Sequence, residues 1–457
     1  MRILFVPDYA EPLHAVLPLV RAARKRGHEV DILCWLRVKG DKKEIPQILA
    51  EYGETAQFME TPDSPFSGFP SNTLSNHFGF AKIMNLIKPT FHQNRMRDLA
   101  IQKLAEFSPD ILVVTNEHLP LLAYFIDVAI QRGIPSVCYL NFSGAFSARK
   151  LREQYDRVRN PETWIGPHRR LDMGPLSQPR GLIERFFMCI IAGGLCSYRF
   201  WHRLDITFPT PYYGGGNATY LTAIGKGSRD TFVELGVDPK KIRIVGFPIY
   251  EELYHKAERN GIEGNTALRR QLGLPLDKPL FLWGTNDQRS YYEGQYSYEK
   301  MLDSWKAIRD VILKVNPDWH LVIKLHPKES IEDYLPVVHY QPRVTLIKDC
   351  NIWELIAESS FFLTRFSSTA TSAICLGKPT VTHNIPEVPG GVLFEDIGGT
   401  FHANTLEDLE KFVSGLAYNP EMQAEAARRR EEFIEYQIDI NERPAADRFV
   451  DLVEDIV

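Results

Sequence analysis

Ile3 to Val6 is an unbroken apolar run that stops at Pro7-Asp8, the pattern of a buried strand and its exit loop. Around His14 to Arg26, the residues Leu13, Val16, Leu17, Val20 and Ala23 recur at helical spacing. A basic last turn, Arg24-Lys25-Arg26, then leads into Gly27, placed where glycine ends helices. Glu29 to Trp35 reads as a second strand. Strand, helix and strand joined by short connections predict a parallel βαβ unit. The rhythm returns at Asp110–Val114, an apolar helix, Gly133-Ile134-Pro135 and Ser136–Leu140. It continues with strands at Ala218–Ala223 and Ile242–Val245.

A second series starts near residue 279, with strands at Pro279–Trp283, His320–Leu325, Val344–Ile347, Phe361–Thr364 and Pro379–Thr382 and helical stretches between them. The fold class is therefore α/β: two doubly wound, Rossmann-like parallel-sheet domains. The polar stretch between Ile249 and Lys278 carries the boundary, dividing the chain into 1–255 and 256–457. The last helix is expected to pack back on the first domain. Residues 143–211, rich in Arg and aromatics, break the rhythm and read as a helical or irregular insert.

Length and composition narrow the class. At about 150 residues per domain, 457 residues make two or three domains. A net charge of -5 argues against a general nucleic-acid binder. No apolar run reaches the roughly 18 residues that span a bilayer, and the opening residues read as a strand, so secretion is not expected. Cys34, Cys138, Cys189, Cys196, Cys350 and Cys375 form no C-x-x-C pair and read as buried thiols in a cytoplasmic protein.

Open parallel sheets bind ligands beyond the carboxyl ends of their strands, so the strand exits hold the candidate chemistry. Gly284-Thr285-Asn286 and Arg289 follow one strand, with small polar residues for close approach of a phosphate and a guanidinium to pair with it. Lys324, His326, Pro327 and Lys328 make a rigid cationic loop after the next. Arg365, Ser367, Ser368 and Thr369 precede a helix read as Ala370–Leu376. Their hydroxyls and free N–H groups lie at the positive end of its dipole, an anion site. Plain N-capping needs only one of the three hydroxyls. His383, Asn384 and Glu387 follow the last strand of the series and could hold a sugar or an acceptor.

Lys324-Leu325-His326-Pro327, followed by Ser367-Ser368-Thr369 and Leu376-Gly377-Lys378-Pro379-Thr380-Val381, resembles the donor half of GT-B glycosyltransferases. The His-Pro and Ser-Ser/Thr pairing is especially similar to bacterial sialyl- and Kdo-transferases and related surface-polysaccharide enzymes. Arg26-Gly27-His28-Glu29-Val30 and Ile242 to Pro248 are also similar to GT-B sequences. The resemblance implies two domains facing across a cleft, with a nucleotide sugar held on the second. It also implies sugar transfer to a glycan or lipid-linked acceptor.

An inverting transfer needs a base on the acceptor hydroxyl. Asp8, His14, Glu117 and His118, at strand exits or the first helix of the N-terminal half, are the candidates. His14 precedes Pro18 by four residues and lacks the Gly-His loop of plant and antibiotic glycosyltransferases. With no Asp-x-Asp triad and no zinc-spaced His/Cys set, the expected enzyme uses neither a metal nor a cofactor; the nucleotide sugar is the donor substrate. The alternatives are an enzyme like UDP-N-acetylglucosamine 2-epimerase and a non-catalytic GT-B scaffold. Phe186 to Tyr198 carries no charge, and Arg149 to Asp205 holds 11 Lys+Arg against 6 Asp+Glu. That combination suits peripheral contact with anionic lipid at the inner face of the cytoplasmic membrane. Burial in a core and a dimer interface are the other readings of the segment.

Overall fold

The computed structural model describes residues 1–8, 10–36, 41–60, 95–117, 119–140, 216–260, 266–286, 296–365, 367–387 and 398–457. The first domain runs β1 (Arg2–Val6), α1 (Ala10–Lys25), β2 (Glu29–Leu36), α2 (Asp41–Glu51), β3 (Gln57–Glu60), α3 (95–107), β4 (Ile111–Val114), α4 (Pro120–Gln131), β5 (Ser136–Cys138), β6 (Tyr220–Ala223), α5 (Lys226–Glu234) and β7 (Ile242–Ile244). Two helices, α6 (Pro248–Asn260) and α7 (Thr266–Gln271), lead to the second sheet. There β8 (Leu280–Gly284), α8 (Tyr298–Val315), β9 (His320–Lys324), α9 (Ile331–Val338), β10 (Val344–Ile347), α10 (Ile352–Glu358), β11 (Phe361–Thr364), α11 (Thr369–Cys375), β12 (Thr380–His383) and β13 (Phe401–Ala403) follow. The chain ends with α12 (Leu406–Tyr418), α13 (Pro420–Phe433) and α14 (Ala445–Ile456).

The strand orders are β3-β2-β1-β4-β5-β6-β7 and β10-β9-β8-β11-β12-β13. All described pairings are parallel; Ile3, for example, lies beside Val30 of β2 on one side and Ile111 of β4 on the other. Continuous apolar runs form these strands because helices cover both faces: β4 and β8 are buried along their whole length. Each sheet reverses direction at its first strand, between β1 and β4 and between β8 and β11. A crevice opens at such a reversal, because successive crossover connections there lie on opposite faces of the sheet.

Two strands depart from the sequence expectation. β3 is an edge strand with three of its four side chains exposed, and β13 has only three residues, so neither carries an apolar run. The insert at 143–211, with the segment Phe186 to Tyr198, lies outside the described residues. Among the described residues no helix is long and apolar enough to cross a membrane.

The helix α14 lies on the first domain. Ala445, Phe449, Val450, Leu452 and Val453 are buried at helical spacing, and the Phe449 ring meets Phe5 at 6.0 Å and Tyr139 edge-on at 5.4 Å. Arg26 pairs with Asp451 (2.6 Å) and Glu454 (2.7 Å) along the contact with α1. At the crossing between domains, a Glu251 oxygen from α6 accepts the Ala445 N–H at 2.8 Å, and Arg448 pairs with the Asp439 carboxylate. Gly246, at φ +78°, makes room for Arg448: a Cβ there would fall 2.4 Å from Nη2.

The stretch Leu376 to Val381 has a structural explanation. Gly377 takes φ +70° just past α11, and the Lys378 N–H closes the helix end on the Ala373 carbonyl at 2.9 Å. Lys378 is buried at the foot of β12, the opposite end from the strand exits. Burial pushes its ammonium down to about 8, against a smaller upward pull from Glu358.

Candidate active site

At the first reversal, β1 exits into Asp8 and β4 into Thr115, Asn116 and Glu117. Asp8 is 1% exposed and held from two sides. The Thr115 hydroxyl donates to Asp8 Oδ1 at 2.6 Å and accepts the Asp8 N–H at 3.1 Å; Asn116 Nδ2 donates to Oδ2 at 3.4 Å. Glu117 is equally buried and lies against Gly216, where a Cβ would fall 2.3 Å from its Oε2. The Cys138 thiol, at the end of β5, is pushed well up by burial, with Glu117 and then Asp8 adding to the effect and Lys241 opposing it. Asp8 is thus tied to Thr115 and Asn116, the two residues that lead directly into Glu117.

The other two base candidates are placed differently. The His14 ring packs between Tyr52 (6.1 Å) and, edge-on, Trp353 of α10 (6.0 Å), at a seam between the domains. Burial lowers its pKa, against a smaller pull from Glu51. This aromatic setting, not the strand-exit cluster, occupies the ring. His118 lies outside the described residues.

At the second reversal the expected residues separate into those that face outward and those that support them. Ser367, Ser368 and Thr369 are half-exposed. The Thr369 hydroxyl donates to Ser367 Oγ at 2.8 Å, and the Thr369 N–H reaches the same oxygen at 3.3 Å. The helix starts at Thr369, one residue earlier than the pattern predicts. Ser368, at its N-cap position, makes no side-chain cap bond. His326 is half-exposed. Its Nδ1 accepts the Lys328 N–H at 3.3 Å, which assigns the ring proton to Nε2 in the neutral form. Pro327, Lys328 and Glu387 are exposed, and the Glu387 carbonyl accepts the Tyr296 hydroxyl at 2.5 Å. Arg289 lies outside the described residues.

The remaining expected residues are buried and bonded to neighbouring strand exits. Gly284 packs β8 on β11: a Cβ there would lie 3.1 Å from the Phe362 ring. Asn286 accepts the Thr364 hydroxyl at 3.4 Å. Lys324 is buried and donates to the Leu325 carbonyl at 2.8 Å, and burial lowers its pKa. The Arg365 guanidinium is 1% exposed and donates to Asn384 Oδ1 at 2.8 Å and to the Ile385 and Pro386 carbonyls. Burial brings it down to about 9, so it stays charged at neutral pH and ties the exits of β11 and β12 together. His383 is fully buried, edge-on to Trp283 at 6.3 Å, with Nδ1 accepting the Ile385 N–H at 3.3 Å. Burial, then Arg365, keeps it neutral.

Glu329 is a residue that motif reading missed. It is 6% exposed and joins Thr285, His326 and Tyr334 in one hydrogen-bonded group. Its place four positions along His326-Pro327-Lys328-Glu329 was the available signal: a proline at the second position of such a run favours a turn that brings the ends together.

Compared by sequence, the chain matches no protein-family model and no curated protein. Compared by structure, it is similar to a candidate UDP-N-acetylglucosamine 2-epimerase from Listeria monocytogenes (TM-score 0.61, 14% identity, covering 100% of this chain and 96% of that one). It is likewise similar to the UDP-GlcNAc 2-epimerase of Neisseria meningitidis solved with UDP-GlcNAc (0.58, 14%, 100% of both). CalG4, the calicheamicin glycosyltransferase, also matches (0.52, 14%, 99% and 97%). The chain has the two-domain Rossmann-like GT-B fold that these enzymes share.

Proposed function

We propose that the chain is an enzyme that binds a UDP-activated sugar and epimerises it at C2. The observation that carries this reading is the division of chemistry between the two strand-order reversals. The first presents the carboxylates Asp8 and Glu117; the second presents His326, Ser367, Ser368 and Thr369. An imidazole N–H, hydroxyls and a helix start suit a diphosphate. Inverting C2 means taking its proton while the electron pair expels UDP from C1, then returning a proton to the other face of C2 as UDP re-forms its bond to C1, which needs groups that take and give a proton. Carboxylates are such groups. The likeness to UDP-GlcNAc 2-epimerases over nearly the full length of both chains supports this reading over transfer.

Transfer to a glycan or lipid-linked acceptor is the second reading, supported by the resemblance of His326-Pro327 and Ser367-Ser368-Thr369 to sialyl- and Kdo-transferases. On that reading the segment Phe186 to Tyr198 would bring the enzyme to an anionic membrane surface. Incubation with UDP-GlcNAc in D2O, followed by proton NMR, separates the two. Epimerisation gives the C2 epimer with deuterium at C2 and no acceptor. Nucleotide release that requires an added acceptor would establish transfer instead. Binding without either reaction would leave a non-catalytic scaffold.

A further inference from the structure

We infer that Glu329 is a positioning residue that sets the β8 and β9 exits as one unit facing the nucleotide; the inference rests on the UDP-sugar reading above. The Glu329 N–H returns to the His326 carbonyl at 2.9 Å, closing a four-residue turn with Pro327 at its second position. Proline's fixed φ favours that position. The turn folds the Glu329 carboxylate back over its own start. Oε2 accepts the His326 N–H at 3.0 Å and the Thr285 hydroxyl, while Oε1 accepts the Tyr334 hydroxyl at 2.7 Å.

The Thr285 hydroxyl is also 3.0 Å from the His326 N–H, and the Thr285 N–H donates to the Lys324 carbonyl at 2.9 Å. One carboxylate therefore joins the two exits on either side of the β8–β9 pairing. Tyr334 anchors it from below, stacked on Trp305 at 4.2 Å and 10°. Thr285 and the His326 amide are committed inward to Glu329. The turn and the Lys328 N–H, which His326 Nδ1 accepts at 3.3 Å, determine the orientation of the imidazole. A carboxylate serves all three donors as they stand; an amide would keep an oxygen for the His326 N–H and the Thr285 hydroxyl only by turning its NH2 toward Tyr334, whose hydroxyl must then reverse and accept.

The test is calorimetric titration with UDP, beside thermal melting and 15N NMR of the His326 imidazole. Glu329→Gln should weaken UDP binding tenfold or more and shift the His326 ring signals, because the exits lose their common register. Tyr334→Phe, which removes only the anchor below, should lower the melting temperature and leave UDP affinity within about twofold of wild type. A merely structural Glu329 would lower melting in both variants and affinity in neither, and that result overturns the inference. Should Glu329→Gln fail to fold, Thr285→Val removes the same contact from the other side and must also weaken binding tenfold; normal affinity overturns the inference. Wild-type protein that binds no UDP overturns the proposed function and the positioning role with it.

Discussion

Replacing Lys378 with methionine should stabilise the protein at neutral pH. Lys378 is 9% exposed at the foot of β12, and burial holds its ammonium at about 8 against 10.5 in a model compound. At about 1.4 kcal/mol per pKa unit, keeping that charge buried costs about 3 kcal/mol. Its influence on Glu358 is replaceable, because Arg269 already pairs with that carboxylate at 2.9 Å. Methionine has similar length and carries no charge. The folded pKa lies below the unfolded one, so between about 8 and 10.5 the unfolded chain holds the extra proton and stability rises with pH. Below 8 the full cost is present; above 10.5 it is gone. Urea unfolding followed by tryptophan fluorescence should find Lys378→Met more stable by about 3 kcal/mol at pH 7, with the gap closing toward pH 10.5. A gap that stays flat over that range, or a variant less stable at pH 7, refutes the reasoning.

Ser368→Ala should weaken UDP binding ten- to a hundredfold by calorimetry, the loss of a charge-assisted hydrogen bond of about 1.5–3 kcal/mol. Melting should not change, because Ser368 makes no cap bond. Asp8→Asn should abolish turnover of UDP-GlcNAc while UDP still binds; undiminished turnover removes Asp8 from the chemistry. Phe449→Ala should cost about 3–5 kcal/mol in urea titrations, as expected when a fully buried ring is cut back; a loss below about 1 kcal/mol would mean that the site collapses around the missing ring. His14→Phe should reduce the loss of stability below pH 6.5, since burial lowers the folded His14 pKa and protonation there favours the unfolded chain.

Most strands legible in the sequence are buried on both faces, where continuous apolar runs such as Ile111–Val114 and Phe361–Thr364 admit little else; the half-buried edge strands β7 and β10 were legible from their short apolar runs as well. β3 and β13 were not legible, because their pairing is decided by neighbouring strands more than by their own side chains. The strand exits were also legible as polar loops, but composition does not say which polar groups turn inward. Arg365 and His383 read as ligands, and the structure finds both buried, Arg365 on Asn384 and His383 on the Ile385 N–H. Glu329 reads as one surface acid among many, yet the turn at Pro327 folds it under the site. The same limit applies to His14, whose neighbour Trp353 is distant in sequence and is brought in by domain packing.

The placement of α14 bears on how the polypeptide matures. The Phe449 ring completes a cluster that includes Phe5, yet every strand of the second sheet separates the two in the chain. During synthesis, the first domain must therefore wait with that apolar surface uncovered until the whole second domain has left the ribosome. Contacts of such long sequence separation form late and leave an aggregation-prone interval. A stalled or prematurely terminated chain lacking residues 440–457 would damage the domain made first, not the one made last. Dividing the gene at the linker would likewise yield a first half without one of its own walls, and separate expression of the halves would need this helix supplied in trans.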